Sequence, residues 1–244
     1  MSDLPVKYAL LGDIHANLEA LQAVLDDARG QKCTHFACVG DIVGYNANPK
    51  ECVDLVRTLA MPCVKGNHDE FASTNEPLEH LNPRAAEVIR WTRRQLPEED
   101  RRWLAELKYV RLLAGFSLVH ATLDVPQRWG YVFEKFSAAA SFNYQSTAIC
   151  FYGHTHLPVA FVRDTAVYGS AFSKLKVLSG RKYFINVGSV GEPRDGSPDA
   201  TYVSYDITNG ILELRRVPYD AEAAEAKARA AGLPLRRSRE TVRA

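Results

Sequence analysis

No apolar run in this chain of 244 residues approaches the ~20 that a membrane-crossing helix needs. Charge of one sign is lacking too. Thirty Lys and Arg stand against 29 Asp and Glu, a formal net charge of +1, so nucleic acid or a membrane surface has no electrostatic footing as the main partner. Cysteine is sparse: Cys33, Cys38, Cys52, Cys63 and Cys150 are odd in number, lie mostly in apolar runs and form no C-x-x-C. That pattern argues against a disulfide framework or a zinc-thiolate site and for buried thiols in a reducing cytoplasm. The opening Met-Ser-Asp-Leu-Pro lacks the basic stretch and apolar core of an export signal, so a cytoplasmic location is expected. Repeats, low-complexity tracts and long linkers are absent. What is present is ordinary globular usage, 46% hydrophobic and 24% charged, enough to fill a core, and a single domain over 1–244 is expected.

The first third alternates in period. "VKYALL" (6–11) reads as a strand halted at Gly12, and Asn17 caps a helix over "LEALQAVLDDAR" (18–29). "THFACVG" (34–40) is a second strand, Pro49 opens a second helix through "ECVDLVRTL" (51–59), and "PCVKGN" (62–67) is a third short strand. This order predicts a parallel sheet with right-handed crossovers. Residues 84–107 read as two helices split at Pro97. Strand-forming segments follow: "FSLVHA", "AICFYG", "PVAFVR", "KYFINVG", then "TYVSYD" and "ILELRRV", which Asn209-Gly210 joins as a hairpin. "AEAAEAKARAAG" (221–232) is a closing helix, and the basic end 233–244 reads as a solvated tail. Stretches 71–107 and 122–147 are the candidate lid insertions.

The chemistry collects where strands end, the place where open α/β sheets build their sites. After successive strands come "GDIH" with Asp13 and His15, "GDIVGY" with Asp41, "GNHDE" with Asn67, His68 and Asp69, then His120, then "GHTH" with His154 and His156. At every cluster but the one at His120 a glycine precedes the polar groups, letting the backbone turn sharply. Read singly, each has a plain explanation: Asp13 as a helix cap, Asp41 and Asn67 as turn residues, His120 as a core histidine, and "YGHTHLP" as a metal site, a proton relay or a surface accident. Five of the seven histidines at strand ends is better explained by one shared site. Only His35 and His80 fall elsewhere. Asp, Asn and His without a placed Cys suit manganese, iron or zinc, with nickel or cobalt also compatible. Seven ligands exceed what one ion with an open position takes. They suit two ions sharing a carboxylate about 3.5–4 Å apart, which sharpen a bridging water and clamp a phosphoryl oxygen.

The ordered set D-x-H, GD, GNH[DE], H and GHTH, spread over residues 8–193, resembles the calcineurin-like metallophosphoesterase superfamily. "DIHANLEAL", "GDIVGYNANPKECVDLVR", "KGNHDE" and "INVGSVGEPRDGSPDATY" are similar to a bacterial branch described as phosphodiesterases or diadenosine-tetraphosphatase-like. The resemblance implies a four-layer α-β-β-α sandwich, with two mixed β-sheets packed together and helices flanking them. It implies two divalent or trivalent metal ions. Asp13, His15 and His156 would hold the first, Asn67, His120 and His154 the second, and Asp41 would bridge. His68 would stand at the leaving-group oxygen as acid or electrostatic stabiliser, with Asp69 orienting its ring. The implied reaction is hydrolysis of a phosphodiester or dinucleoside polyphosphate by a metal-bridging hydroxide.

Two positions depart from the family pattern. Ala121 stands where glycine usually follows the metal-binding histidine, and "IVGYNANP" lacks the arginine that the protein Ser/Thr phosphatases of the superfamily carry after GD. The second departure lowers the phosphoprotein-phosphatase alternative. A non-catalytic scaffold is the other alternative, and retention of every expected ligand speaks against it. For binding of substrate the candidates are Arg194, Tyr45 and Asn46. Trp129 and Tyr131 fit a base-stacking wall and equally the core of a lid. The expected partner is a small phosphorylated, nucleotide-like molecule, with the protein acting as a monomer or homodimer.

Overall fold

In the computed structural model, which describes residues 6–113 and 115–235, the alternating segments sort into two mixed sheets. The strands are β1 (Lys7–Leu11), β2 (His35–Cys38), β3 (Val110–Leu113), β4 (Phe116–Val119), β5 (Ile149–Tyr152), β6 (Val159–Arg163), β7 (Val167–Ser170), β8 (Lys174–Lys176), β9 (Lys182–Asn186), β10 (Ala200–Asp206) and β11 (Ile211–Val217). One sheet runs β2-β1-β10-β11-β8 and the other β3-β4-β5-β9-β6-β7. The hairpin β10–β11 pairs Asp206 with Ile211 across the Asn209-Gly210 turn, and β1 pairs in parallel with β2. The helices are α1 (Leu18–Gly30), α2 (Pro49–Thr58), α3 (Asn67–Ser73), α4 (Pro83–Gln95), α5 (Glu98–Glu106), α6 (Lys135–Tyr144) and α7 (Ala221–Ala230).

The period-2 pattern decides the layering. On β1, Leu10 points between the sheets while Ala9 and Leu11 face the helices. On β5, Ile149 and Phe151 meet Leu10 and Val203 in the inter-sheet layer, and Cys150 and Tyr152 turn the other way toward Phe142 of α6. Tyr152 and Phe184 stack there with centroids 4.2 Å apart. Each fully buried Phe or Leu of these layers contributes about 1.5–3 kcal/mol relative to exposure. Helix α1 covers the first sheet through Ala20, Leu21, Val24, Leu25 and Ala28, and Asn17 caps it by accepting from the Ala20 N–H at 3.0 Å. The result is the four-layer α-β-β-α sandwich.

Several elements differ from the sequence reading. Segment 62–67 is not a strand: it makes single parallel bridges, Cys63 to Cys38 and Val64 to Lys108. Pro62 offers no N–H to a ladder, and Gly66 already turns the chain into α3. The "GNHDE" stretch is therefore the first turn of a helix rather than a loop. Strands β3, β7 and β8 were not foreseen; they lie at sheet edges, where strands of three or four residues carry little pattern. The tail beyond residue 235 lies outside the described residues. All five cysteines are buried and unbridged, and among the described residues no helix is long and apolar enough to cross a membrane.

Candidate metal centre

Five loops converge above the strand ends. The turns after β1 and β2 are zipped together: Asp13 N–H donates to the Gly40 carbonyl at 3.0 Å, His15 N–H to Asp41 at 2.9 Å and Ala16 N–H to Ile42 at 2.9 Å. Asp13, His15, Asp41, His154 and His156 all hold left-handed backbone, with φ between 49° and 67°. Such conformations cost on the order of 1–3 kcal/mol each and persist only where surroundings over-determine them. Gly66 is required by proximity: a Cβ there would run into the Asp41 carboxylate and the Asp41 N–H. Gly153 is held the same way against the Asp13 carboxylate.

The side chains form two groups joined through Asp41. Asp13, His15 and His156 make one; Asp41, His120 and His154 make another, and Asp41 also clusters with His15 and His68. Asp41 Oδ2 stands 3.6 Å from His15 Nε2 and 3.4 Å from His120 Nε2. Asn67 joins the second group, its Oδ1 lying 3.2 Å from His120 Nε2. The seven residues read as ligands are thus brought together, and every one is buried or nearly so.

The outer nitrogen of each imidazole settles what the inner one can do. His15 Nδ1 donates to the Val43 carbonyl at 3.2 Å, His120 Nδ1 to Val39 at 2.8 Å, His156 Nδ1 to Glu192 at 2.6 Å, and His154 Nε2 to Trp129 at 2.9 Å. A neutral imidazole has one N–H. In the neutral ring each inner nitrogen is therefore a bare lone pair. His15 Nε2 and His156 Nε2 face one another at 3.1 Å beside Asp13 Oδ1, itself 3.2 Å from His156. His154 Nδ1 is buried with no partner. Lone pairs and carboxylates packed this closely repel unless positive charge lies between them, and nitrogen donors about 3 Å apart match neighbouring ligands on one ion with metal–nitrogen bonds of about 2 Å. The donor set fits divalent metals.

The protonation energetics divide. Burial opposes charge on His120, yet the adjoining Asp41 carboxylate overrides it and lifts the ring to about 9, so a cation taking its Nε2 displaces a proton. Burial drives His154 down to about 3 and His15 well below its usual value despite Asp41. Burial works against ionised Asp41, but His120, His68 and His15 hold it well below the ordinary carboxylate range.

Two expected roles need correction. Asp69 does not orient His68. Its carboxylate accepts four backbone N–H groups, from Asp41 at 2.8 Å, Ile42 at 2.8 Å, Val43 at 3.3 Å and Gly66 at 3.0 Å, while His68 Nδ1 has no hydrogen-bond partner. At the third position of α3, Asp69 reaches back to the turn that presents Asp41 and is held away from the ring. His68 instead packs edge-on to His15 at 4.8 Å and against Tyr45 at 4.5 Å. Asn46 lines an adjoining cavity rather than the one at the metal ligands; its amide donates to the carbonyls of His15 (2.9 Å) and Gly191 (3.4 Å), bracing the site from behind. Tyr45 and Arg194 do line the cavity at the metal ligands, of about 350 Å³, beside Asp41, Asn67, His68 and His154.

The domain to which these features correspond is defined by comparison. Residues 6–210 match the calcineurin-like phosphoesterase superfamily domain. The chain belongs to this superfamily. It is 37% identical over 223 residues to the uncharacterized protein MJ0912 of Methanocaldococcus jannaschii, covering 90% of each chain. The crystal structure of a metallophosphoesterase from Sphaerobacter thermophilus superposes with a TM-score of 0.82 at 35% identity, over 95% of this chain and 96% of that one. Protein PH1004 of Pyrococcus horikoshii shares the fold at 18% identity, with a TM-score of 0.78 over 94% of each. Members of the superfamily generally bind divalent metals, as the donor set here allows.

Sequence reasoning missed four supporting residues. Asn186 donates to the Gly153 carbonyl at 2.7 Å and to Thr155 Oγ1 at 3.0 Å, Ser189 Oγ donates to the Asp13 carbonyl at 2.9 Å, and the Glu192 carbonyl receives His156. All three lie in "INVGSVGEPRDG", where polar residues among glycines were the available signal. Arg84, on α4, also lines the cavity, and no motif marks it.

Proposed function

We propose that the chain is a two-metal hydrolase of phosphoric ester or anhydride bonds in a small, nucleotide-like substrate. The observation that carries this reading is the pair of acceptor groups joined through Asp41, with the outer nitrogens of all four imidazoles hydrogen-bonded to backbone carbonyls. Asp13, His15, Asp41 and His156 would hold one cation, and Asp41, Asn67, His120 and His154 the other. Two bound cations lower the pKa of water and neutralise phosphoryl oxygens.

The chain's own groups do the rest. The four backbone carbonyls fix each ring's tautomer and aim, so that the donors are pre-organised and the backbone strain is held in place by the zipped loops. His68 lines the cavity with its ring wedged between His15 and Tyr45. Because burial lowers its pKa against the pull of Asp41, its role toward a departing oxygen is that of a neutral hydrogen-bond donor that stabilises developing charge. Arg194 supplies positive charge to the substrate. Tyr131, 54% exposed and stacked on His154 at 4.3 Å, offers a wall for an aromatic base. Buried, unbridged thiols support residence in a reducing compartment.

After exhaustive chelation, added Mn²⁺ is expected to restore turnover of bis-p-nitrophenyl phosphate. Turnover by protein shown to be metal-free refutes the reading, and a strong preference for a phosphopeptide panel over diadenosine tetraphosphate refutes the substrate class.

A further inference from the structure

The cavity continues past the ligands onto a charged platform. Arg84 from α4 and Arg194 from the loop after β9 lie over the same ring: their Cζ atoms are 4.5 Å and 5.9 Å from the centroid of Tyr45. The edge of that ring touches His15, 4.6 Å away, and His68. One aromatic side chain therefore separates the metal ligands from two guanidinium groups. Two like charges on one ring repel unless something compensates. Glu192 compensates Arg84, accepting at 2.7 Å and 3.4 Å, and the Pro234 carbonyl takes its Nε at 3.0 Å. Among the described residues no carboxylate pairs with Arg194, which reaches only the Tyr45 hydroxyl at 3.5 Å. A guanidinium carries five N–H donors, so the platform keeps one uncompensated positive charge and several donors directed at the cavity. Tyr45, Arg84 and Glu192 also line an adjoining cavity of about 470 Å³ that leads away from the ligands.

We propose that Arg84 and Arg194 form a subsite for a second phosphate, so that the chain selects substrates with at least two linked phosphates, and that Glu192 is the positioning residue that keeps Arg84 on the ring. A phosphate joined directly to the one at the metals reaches over Tyr45 to this charge, and bidentate guanidinium contacts recognise it. A diester with two neutral arms leaves the charge unused. The adjoining cavity takes the remainder of the molecule. The inference rests on the two-metal hydrolase reading for the place of the first phosphate only.

The test is calorimetric binding of methylenebisphosphonate and methylphosphonate to manganese-loaded protein, with metal content checked after each titration. The wild type is expected to favour the bisphosphonate, and Arg194→Ala, which breaks no ion pair among the described residues, is expected to lower that preference about tenfold, the loss of one charge-assisted contact. Arg84→Gln is expected to lower it similarly, with Arg84→Lys restoring only part because an ammonium lacks the planar fork. Equal affinity of the wild type for both ligands, or an unchanged ratio in Arg194→Ala, overturns the subsite. The binding ratio is read without turnover: if the ratio behaves as expected but no phosphoric ester or anhydride is hydrolysed, the hydrolase reading falls and the subsite stands.

Discussion

Replacing Asp69 with Asn separates two accounts of this residue by measurement. The substitution keeps size and shape and changes one acceptor into a donor. Asp69 Oδ2 accepts from the amides of Asp41 and Gly66, and Oδ1 from those of Ile42 and Val43. Whichever way the new amide turns, two buried N–H groups lose their acceptor and face another donor. At about 1–3 kcal/mol for each unsatisfied buried donor, the loss is about 4 kcal/mol. For a domain of this size that lowers the melting temperature by roughly 8–16 °C. The Asp41 loop slackens with it, and loss of a residue supporting a ligand weakens metal retention by about 10–100-fold. Thermal melts with and without manganese, together with metal content by mass spectrometry, give both numbers. A variant that melts and retains metal like the wild type, but has a shifted pH–rate profile, refutes this account and returns Asp69 to His68.

Two other substitutions probe the frame. Gly153→Ala places a methyl group against the Asp13 carboxylate and Val39; overpacking is expected to destabilise by about 1–3 kcal/mol and to reduce manganese retention, checked by denaturant melts and metal content. Asp27 is pulled below the usual carboxylate range: burial pushes its pKa up, but hydrogen bonds from Arg215 and Tyr202 outweigh it. The bonded carboxylate therefore stabilises the fold above the unfolded pKa, about 3.9, and that contribution is lost as pH falls through the lower folded value. Asp27→Asn is expected to cost about 1–2 kcal/mol at pH 7, with the gap to wild type closing below pH 4, measured by urea melts at both.

The donor cluster was legible because glycine-polar punctuation at strand ends is a local pattern that names its residues. Asp13, Asp41, His120 and His154, each explicable alone, pointed to one place only as a set, once the strands before them were seen. The two mixed sheets were less legible from periodicity, since β3, β7 and β8 are too short to show alternation, and the sandwich came from resemblance instead. The role of Asp69 was misread because sequence adjacency to His68 says nothing about direction: on the first turn of α3, neighbours point to different sides. Arg84 was invisible for a related reason. Its importance comes from Glu192, 108 residues away, and no local signal encodes a pairing of that span.

Neither sheet carries a full coordination sphere. Asp13, His15 and Asp41 follow strands of one sheet, and His120, His154 and His156 follow strands of the other. Under the two-cation proposal, a nascent chain would complete neither donor group until residues 154 and 156 have emerged and both sheets have docked, so a bound metal would act as a late rivet that rewards only the finished assembly.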